Sequence, residues 1–112
     1  MVIIINIPIF KQRIRCLIEP TKKELKKYDV EPEGPGKALA TTYSNGVILF
    51  YNSKIITPGL VAHEMVHAIN YLFKFVGIKG SEDNEELLCY LLDHCIQEFF
   101  NKFISKTGKK KK

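Results

Sequence analysis

Residues 38–77, ALATTYSNGVILFYNSKIITPGLVAHEMVHAINYLFKFVG, decide the fold, because they hold a hairpin signal and a helix with both ends marked. Asn45-Gly46 tolerates the positive φ angles of a two-residue type I′ turn, so 38–44 and 47–51 are expected to pair as antiparallel strands. Thr57 is a helix N-cap, and Pro58 sits at the first helical position, where its missing N–H costs nothing. The apolar spacing then runs to about Val76, and Gly77 ends the helix.

Upstream of this stretch, Ile3, Ile5, Ile7 and Ile9 recur with period two, which predicts a strand. Arg13 to Glu19 alternates again, with Ile14, Cys16 and Ile18 inward and Arg13 and Arg15 outward, although Leu17 interrupts the polar face. Thr21 and Glu24 form a capping box that opens a short helix over Lys22–Tyr28. Two Pro and two Gly between Val30 and Lys37 mark a loop. Downstream, a loop over 78–83 leads to a final helix from about Asn84 to Ser105. Strands first and long helices last make an α+β domain with a small N-terminal sheet.

The chain has 112 residues, 46% of them hydrophobic and 26% charged. That is one ordinary globular domain, expected over 1–108. Lys109 to Lys112 supply four of the five net positive charges, leaving a body close to neutral. Nucleic-acid binding is therefore not expected, since it needs basic residues spread over a folded face. The longest apolar run, Val2 to Phe10, is too short to cross a membrane and has no basic residue before it. The cytosol is the expected compartment. The three cysteines, Cys16, Cys89 and Cys95, have no paired spacing and read as small buried hydrophobes.

The chemistry lies inside the opening stretch. His63-Glu64-Met65-Val66-His67 places two imidazoles at i and i+4, about 40° apart around a helix axis and one turn apart along it. Both can then reach one zinc ion. Glu64 sits about 100° round from His63, off the ligand pair and placed to hold a water. Ala62, Met65, Val66, Ile69, Leu72, Phe73 and Val76 form the expected core stripe, with the histidines nearly opposite it and Glu64 outside it. A catalytic zinc usually has three protein ligands and an open position. The third is sought among Glu85, Glu86, Asp93 and His94 of the last helix, whose buried stripe is Leu88, Leu91, Leu92, Cys95 and Phe99. Glu86 points to the flank where a cleft would open, and Glu85 to the edge of the stripe, so Glu86 is favoured over Glu85.

His63-Glu64-Met65-Val66-His67, eighteen residues, then Glu86-Leu87-Leu88-Cys89 resembles the gluzincin metallopeptidases. With its short length and preceding strands the chain is similar, over roughly residues 2 to 105, to the minigluzincins, the smallest soluble members of that clan. The resemblance implies a minimal zincin fold: a small sheet with a hairpin, an active-site helix and a glutamate helix. It implies a Zn2+ cofactor held by His63, His67 and Glu86. Glu64 is then the general base in hydrolysis of a peptide or unfolded-protein substrate through a metal-bound water. Many gluzincins carry an Asp four residues after the ligand glutamate, where this chain has Tyr90; Asp93 or Asn70 would then orient a histidine. Tyr90 or His94 is a candidate for stabilising the oxyanion, and Tyr43 and Tyr51 are weaker ones. The hairpin's second strand, Val47 to Tyr51, is expected to pair with an extended substrate. Phe99, Phe100, Phe103 and Ile104, some of them off the core stripe, suggest a surface for self-association or a segment that folds over the cleft. The alternative is a zincin-like module that holds zinc, docks a protein partner and cuts nothing.

Overall fold

The computed structural model describes residues 1–7, 10–32, 39–78 and 84–108. Ile9, the loop residues 33–38 and 79–83, and the Lys tail lie outside the described residues. The elements are β1 (Val2–Ile7), β2 (Gln12–Ile18), α1 (Lys22–Lys27), β3 (Ala40–Thr42), β4 (Val47–Phe50), a 3-10 turn (Ser53–Ile55), α2 (Pro58–Val76) and α3 (Glu85–Thr107). The protein is α+β, with strands before the two long helices, as the chain's patterning predicts.

The four strands order as β1-β2-β4-β3. β1 pairs antiparallel with β2, β2 parallel with β4, and β4 antiparallel with β3. The helices α2 and α3 lie on one face. Against them pack Ile3, Ile5, Ile7, Ile14, Cys16, Ile18, Ile48 and Phe50 of the sheet, meeting Met65, Ile69, Leu91, Cys95 and Phe99. The other face carries a second, smaller core of Leu17, Val30, Val47 and Leu49, with Leu25 and Tyr28 beside it. This explains the Leu17 interruption: β2 has apolar residues on both faces because α1 covers the second. For the same reason all four residues of β4 are buried, as in a strand covered on both sides.

The caps do what their residues predict. Thr57 Oγ1 accepts the Leu60 N–H at 3.2 Å, and Thr21 with Glu24 closes a full capping box. Gly77 takes the left-handed conformation at φ 83°, and the Ile78 N–H returns to the Phe73 carbonyl at 2.8 Å, a six-to-one closure that removes orphan carbonyls. The hairpin turn differs from the expectation. Among the described non-glycine residues positive φ occurs at Lys11, Glu19 and Asp29, not at Asn45, so the turn is not type I′. Gly46 N–H bonds to the Tyr43 carbonyl and Tyr43 N–H to the Val47 carbonyl. Three residues, 44–46, therefore close the hairpin, with Gly46 alone at positive φ (85°).

Two further expectations are corrected. Phe99 and Phe103 are buried, and Phe99 meets Phe50 at 5.5 Å between ring centroids. The aromatic end of α3 is largely core, and of the four residues expected to form an outer surface only Ile104 is exposed. Cys89 is exposed, unlike Cys16 and Cys95, because it lies off the Leu91–Cys95–Phe99 stripe. Burial pushes the Cys95 thiol up to about 12, and it raises Cys16 further, with Cys95 adding to the effect. Among the described residues no helix is long and apolar enough to cross a membrane.

Candidate metal and peptide site

His63 and His67 stand one turn apart on α2, both exposed, with ring centroids 5.0 Å apart in an edge-to-face arrangement. They project away from the helix face that carries Met65 and Ile69, as the wheel predicts. Glu64 does not lie off the core. It is 6% exposed, and it is the one charged side chain buried among the described residues. The wheel alone places Glu64 beside the stripe, but strand β3 packs over that side of α2 and covers it.

The covering residue is Thr42. Its Oγ1 donates to Glu64 Oε1 at 2.6 Å and lies 3.3 Å from the Glu64 carbonyl oxygen. The hydroxyl has one proton, and the 2.6 Å contact falls in the range of a charge-assisted O–H···O⁻ bond. The second carboxylate oxygen, Oε2, is 3.9 Å from His63 Nε2. A buried carboxyl costs free energy of lost hydration unless it is compensated, and the described hydrogen-bond partner is this hydroxyl. Sequence reasoning missed Thr42. The available signal was period two: Thr42 follows Ala40 on the inward face of a strand, and an inward hydroxyl needs a partner.

Thr42 also belongs to an edge strand of the sheet. In the β3–β4 ladder Tyr43 N–H donates to the Val47 carbonyl and Tyr51 N–H to the Leu39 carbonyl, so the N–H and C=O of Ala40 and Thr42 turn outward. No described residue bonds to these outward groups. The strand expected to receive a substrate, Val47 to Tyr51, is instead interior: β4 is flanked by β2 and β3. The parallel β2–β4 pairing is what places β4 inside the sheet, which leaves β3 as the edge next to Glu64.

The residues of α3 are placed differently from α2. Glu85 and Glu86 are exposed in its first turn. Among the described residues no three His, Cys, Asp or Glu side chains come together as a metal-holding group. Two imidazoles converge, and neither Glu86 nor Glu85 joins them in this arrangement. Tyr90 is 65% exposed, with no described hydrogen-bond partner. Asp93 accepts from Gln97 Nε2 at 3.1 Å rather than orienting a histidine. His94 Nε2 lies 3.0 Å from the Asn6 carbonyl, on β1, at the end of the sheet opposite to Thr42 and Glu64. An imidazole bonded there is turned to the far edge, not to the α2 histidines. On the hairpin, Tyr43 hydroxyl donates to the Glu31 carbonyl at 3.0 Å, and Tyr51 hydroxyl lies 3.3 Å from Thr41 Oγ1.

Two cavities flank α2. One of about 350 Å³ is bordered by His67, Asn70, Tyr71, Phe73, Lys74 and Ile78, so it begins at the histidine pair. A larger one of about 400 Å³ lies between Ala68, Tyr71, Leu72 and Phe75 and the hairpin turn. It touches neither His63, Glu64 nor His67, and its size does not make it the site. Comparison with protein-family models, with curated proteins and with solved structures finds no match for this chain.

Proposed function

We propose that the protein is a minimal zinc-dependent peptidase that hydrolyses peptide bonds with Glu64 as general base. The observation that carries this reading is the buried Glu64 carboxylate. A carboxyl group is kept inside a small domain, beside two exposed imidazoles and beneath an edge strand of the sheet. Burying a polar carboxyl costs free energy that an apolar residue at the same position would not.

The donor set suits zinc. Two imidazoles on successive turns are the usual start of such a site, and a carboxylate from a second helix completes it. His63 and His67 would hold the ion, with Glu86 in the first turn of α3 as third ligand, which requires the start of α3 to approach α2. Bound there, zinc would supply a Lewis acid that makes a water more acidic and polarises a carbonyl.

The chain's own residues do the rest. The outward N–H and C=O groups of Ala40 and Thr42 take an extended peptide as an added strand, which aligns it across α2 beside Glu64. Glu64 accepts a proton from the attacking water and returns it to the leaving amine. The partner is a peptide or an unfolded protein, because an edge of three residues reads backbone rather than a folded surface.

Metal uptake tests the ligand set. Wild type should bind one zinc per chain in equilibrium dialysis, and His67→Ala should lose the metal and hydrolysis together. Zinc retained in full by His67→Ala would remove this site. If zinc is bound and no peptide is cleaved, the protein is instead a zinc-holding module that docks a partner.

A further inference from the structure

We infer that Thr42 is a positioning residue that fixes which oxygen of Glu64 acts as base, and that it ties this choice to peptide docking on β3. This rests on the peptidase reading. A carboxylate has two equivalent oxygens and rotates about its last bond, so a base needs one of them held. Here Oε1 is taken by the Thr42 hydroxyl at 2.6 Å. Oε2 is then the oxygen turned toward His63 Nε2, at 3.9 Å. Because the hydroxyl proton is spent on Oε1, Oε2 keeps its lone pairs for a proton from water.

The backbone of the same residue faces outward at the edge of the sheet, where its groups meet no partner among the described residues. A peptide added to β3 through the Ala40 and Thr42 groups pins the strand at the residue that holds the base. Docking and base orientation therefore share one residue, with no loop or lid between them. The strand is three residues long, and Ala40 packs against the main core beside this bond.

The test uses full-length Thr42→Val and Thr42→Ser, with Glu64→Gln and the double variant Thr42→Val/Glu64→Gln. Val keeps the shape and removes the hydroxyl, and Ser keeps the hydroxyl. On a quenched peptide, Thr42→Val should lower kcat roughly 10- to 100-fold with KM little changed. Thr42→Ser should restore most of it. In the Glu64→Gln background Thr42→Val should cost almost nothing more, because a residue that acts through the base has nothing left to act on. The second readout needs no metal and no turnover. In the metal-free protein the Glu64 carboxyl carbon resonance should move in Thr42→Val and stay near wild type in Thr42→Ser. An unmoved resonance, or a wild-type kcat in Thr42→Val while Glu64→Gln is inactive, overturns the positioning role and leaves the peptidase reading standing. A wild-type rate in Glu64→Gln overturns both.

Discussion

The two edges of the sheet are treated in opposite ways. At β1 two outward carbonyls are taken by α3: Lys102 Nζ donates to Ile4 O at 2.8 Å, and His94 Nε2 meets Asn6 O at 3.0 Å. The helix runs antiparallel to the strand, and Phe99, between those two residues in sequence, is fully buried in the main core. At β3 the outward groups of Ala40 and Thr42 meet no described partner, and the strand's inward hydroxyl is given to Glu64. An open strand edge invites pairing with other chains, and proteins normally cover or blunt it. This one ties two carbonyls of the edge far from the histidines to a helix, while the short edge beside its buried carboxyl has no such tie among the described residues. β1 anchors the second helix, and in the proposed function β3 is the edge that takes an extended chain.

Ala40→Pro is the strongest way to break that comparison. The N–H it removes faces outward, so the β3–β4 ladder keeps its bonds and the fold should tolerate the change. Peptide hydrolysis should fall about tenfold or more, since one docking donor is lost and the ring obstructs the edge. Unchanged hydrolysis in Ala40→Pro would mean that substrate does not add to β3. Lys102→Ala sharpens the comparison from the other side, with a smaller effect. It uncovers the Ile4 carbonyl and should cost about 1 kcal/mol of stability in chemical denaturation. Its rate on the same peptide should remain within about twofold of wild type, because it lies on the anchoring edge. A loss of rate as large as that of Ala40→Pro would show that the two edges are not separate in function.

What could be read directly from the sequence was local. Thr57, Pro58 and Gly77 each act within a turn of their own helix, so the limits of α2 follow from neighbours in sequence. The His63–His67 pair is likewise set by helical spacing. What could not be read depended on partners far along the chain. Glu64 is buried because Thr42, twenty-two positions earlier, lies on a strand that packs over α2. No helical wheel contains that strand. The interior place of β4 follows from its parallel pairing with β2, yet Val47 to Phe50 is apolar at every position, the mark of a strand covered on both faces. The same misjudged range affected α3. His94 lies near the ligand flank on a wheel, but its imidazole is satisfied by a β1 carbonyl eighty-eight positions away. The expected third ligand belongs to this class: Glu86 is exposed in the first turn of α3 and does not join the histidine pair among the described residues.

The central claim is that Glu64 is held as a base and not as a ligand or a structural charge. Glu64→Gln tests it most directly, because Gln keeps the side chain's size and an oxygen for the Thr42 hydroxyl while removing the proton acceptor. Zinc content and hydrolysis of one quenched peptide would be measured on the same preparation, with a chelator-treated control. The account predicts zinc content near wild type and hydrolysis lowered by at least the roughly 10²–10⁴-fold associated with a positioned acid–base group. Hydrolysis by Glu64→Gln at the wild-type rate, still abolished by the chelator, would contradict it.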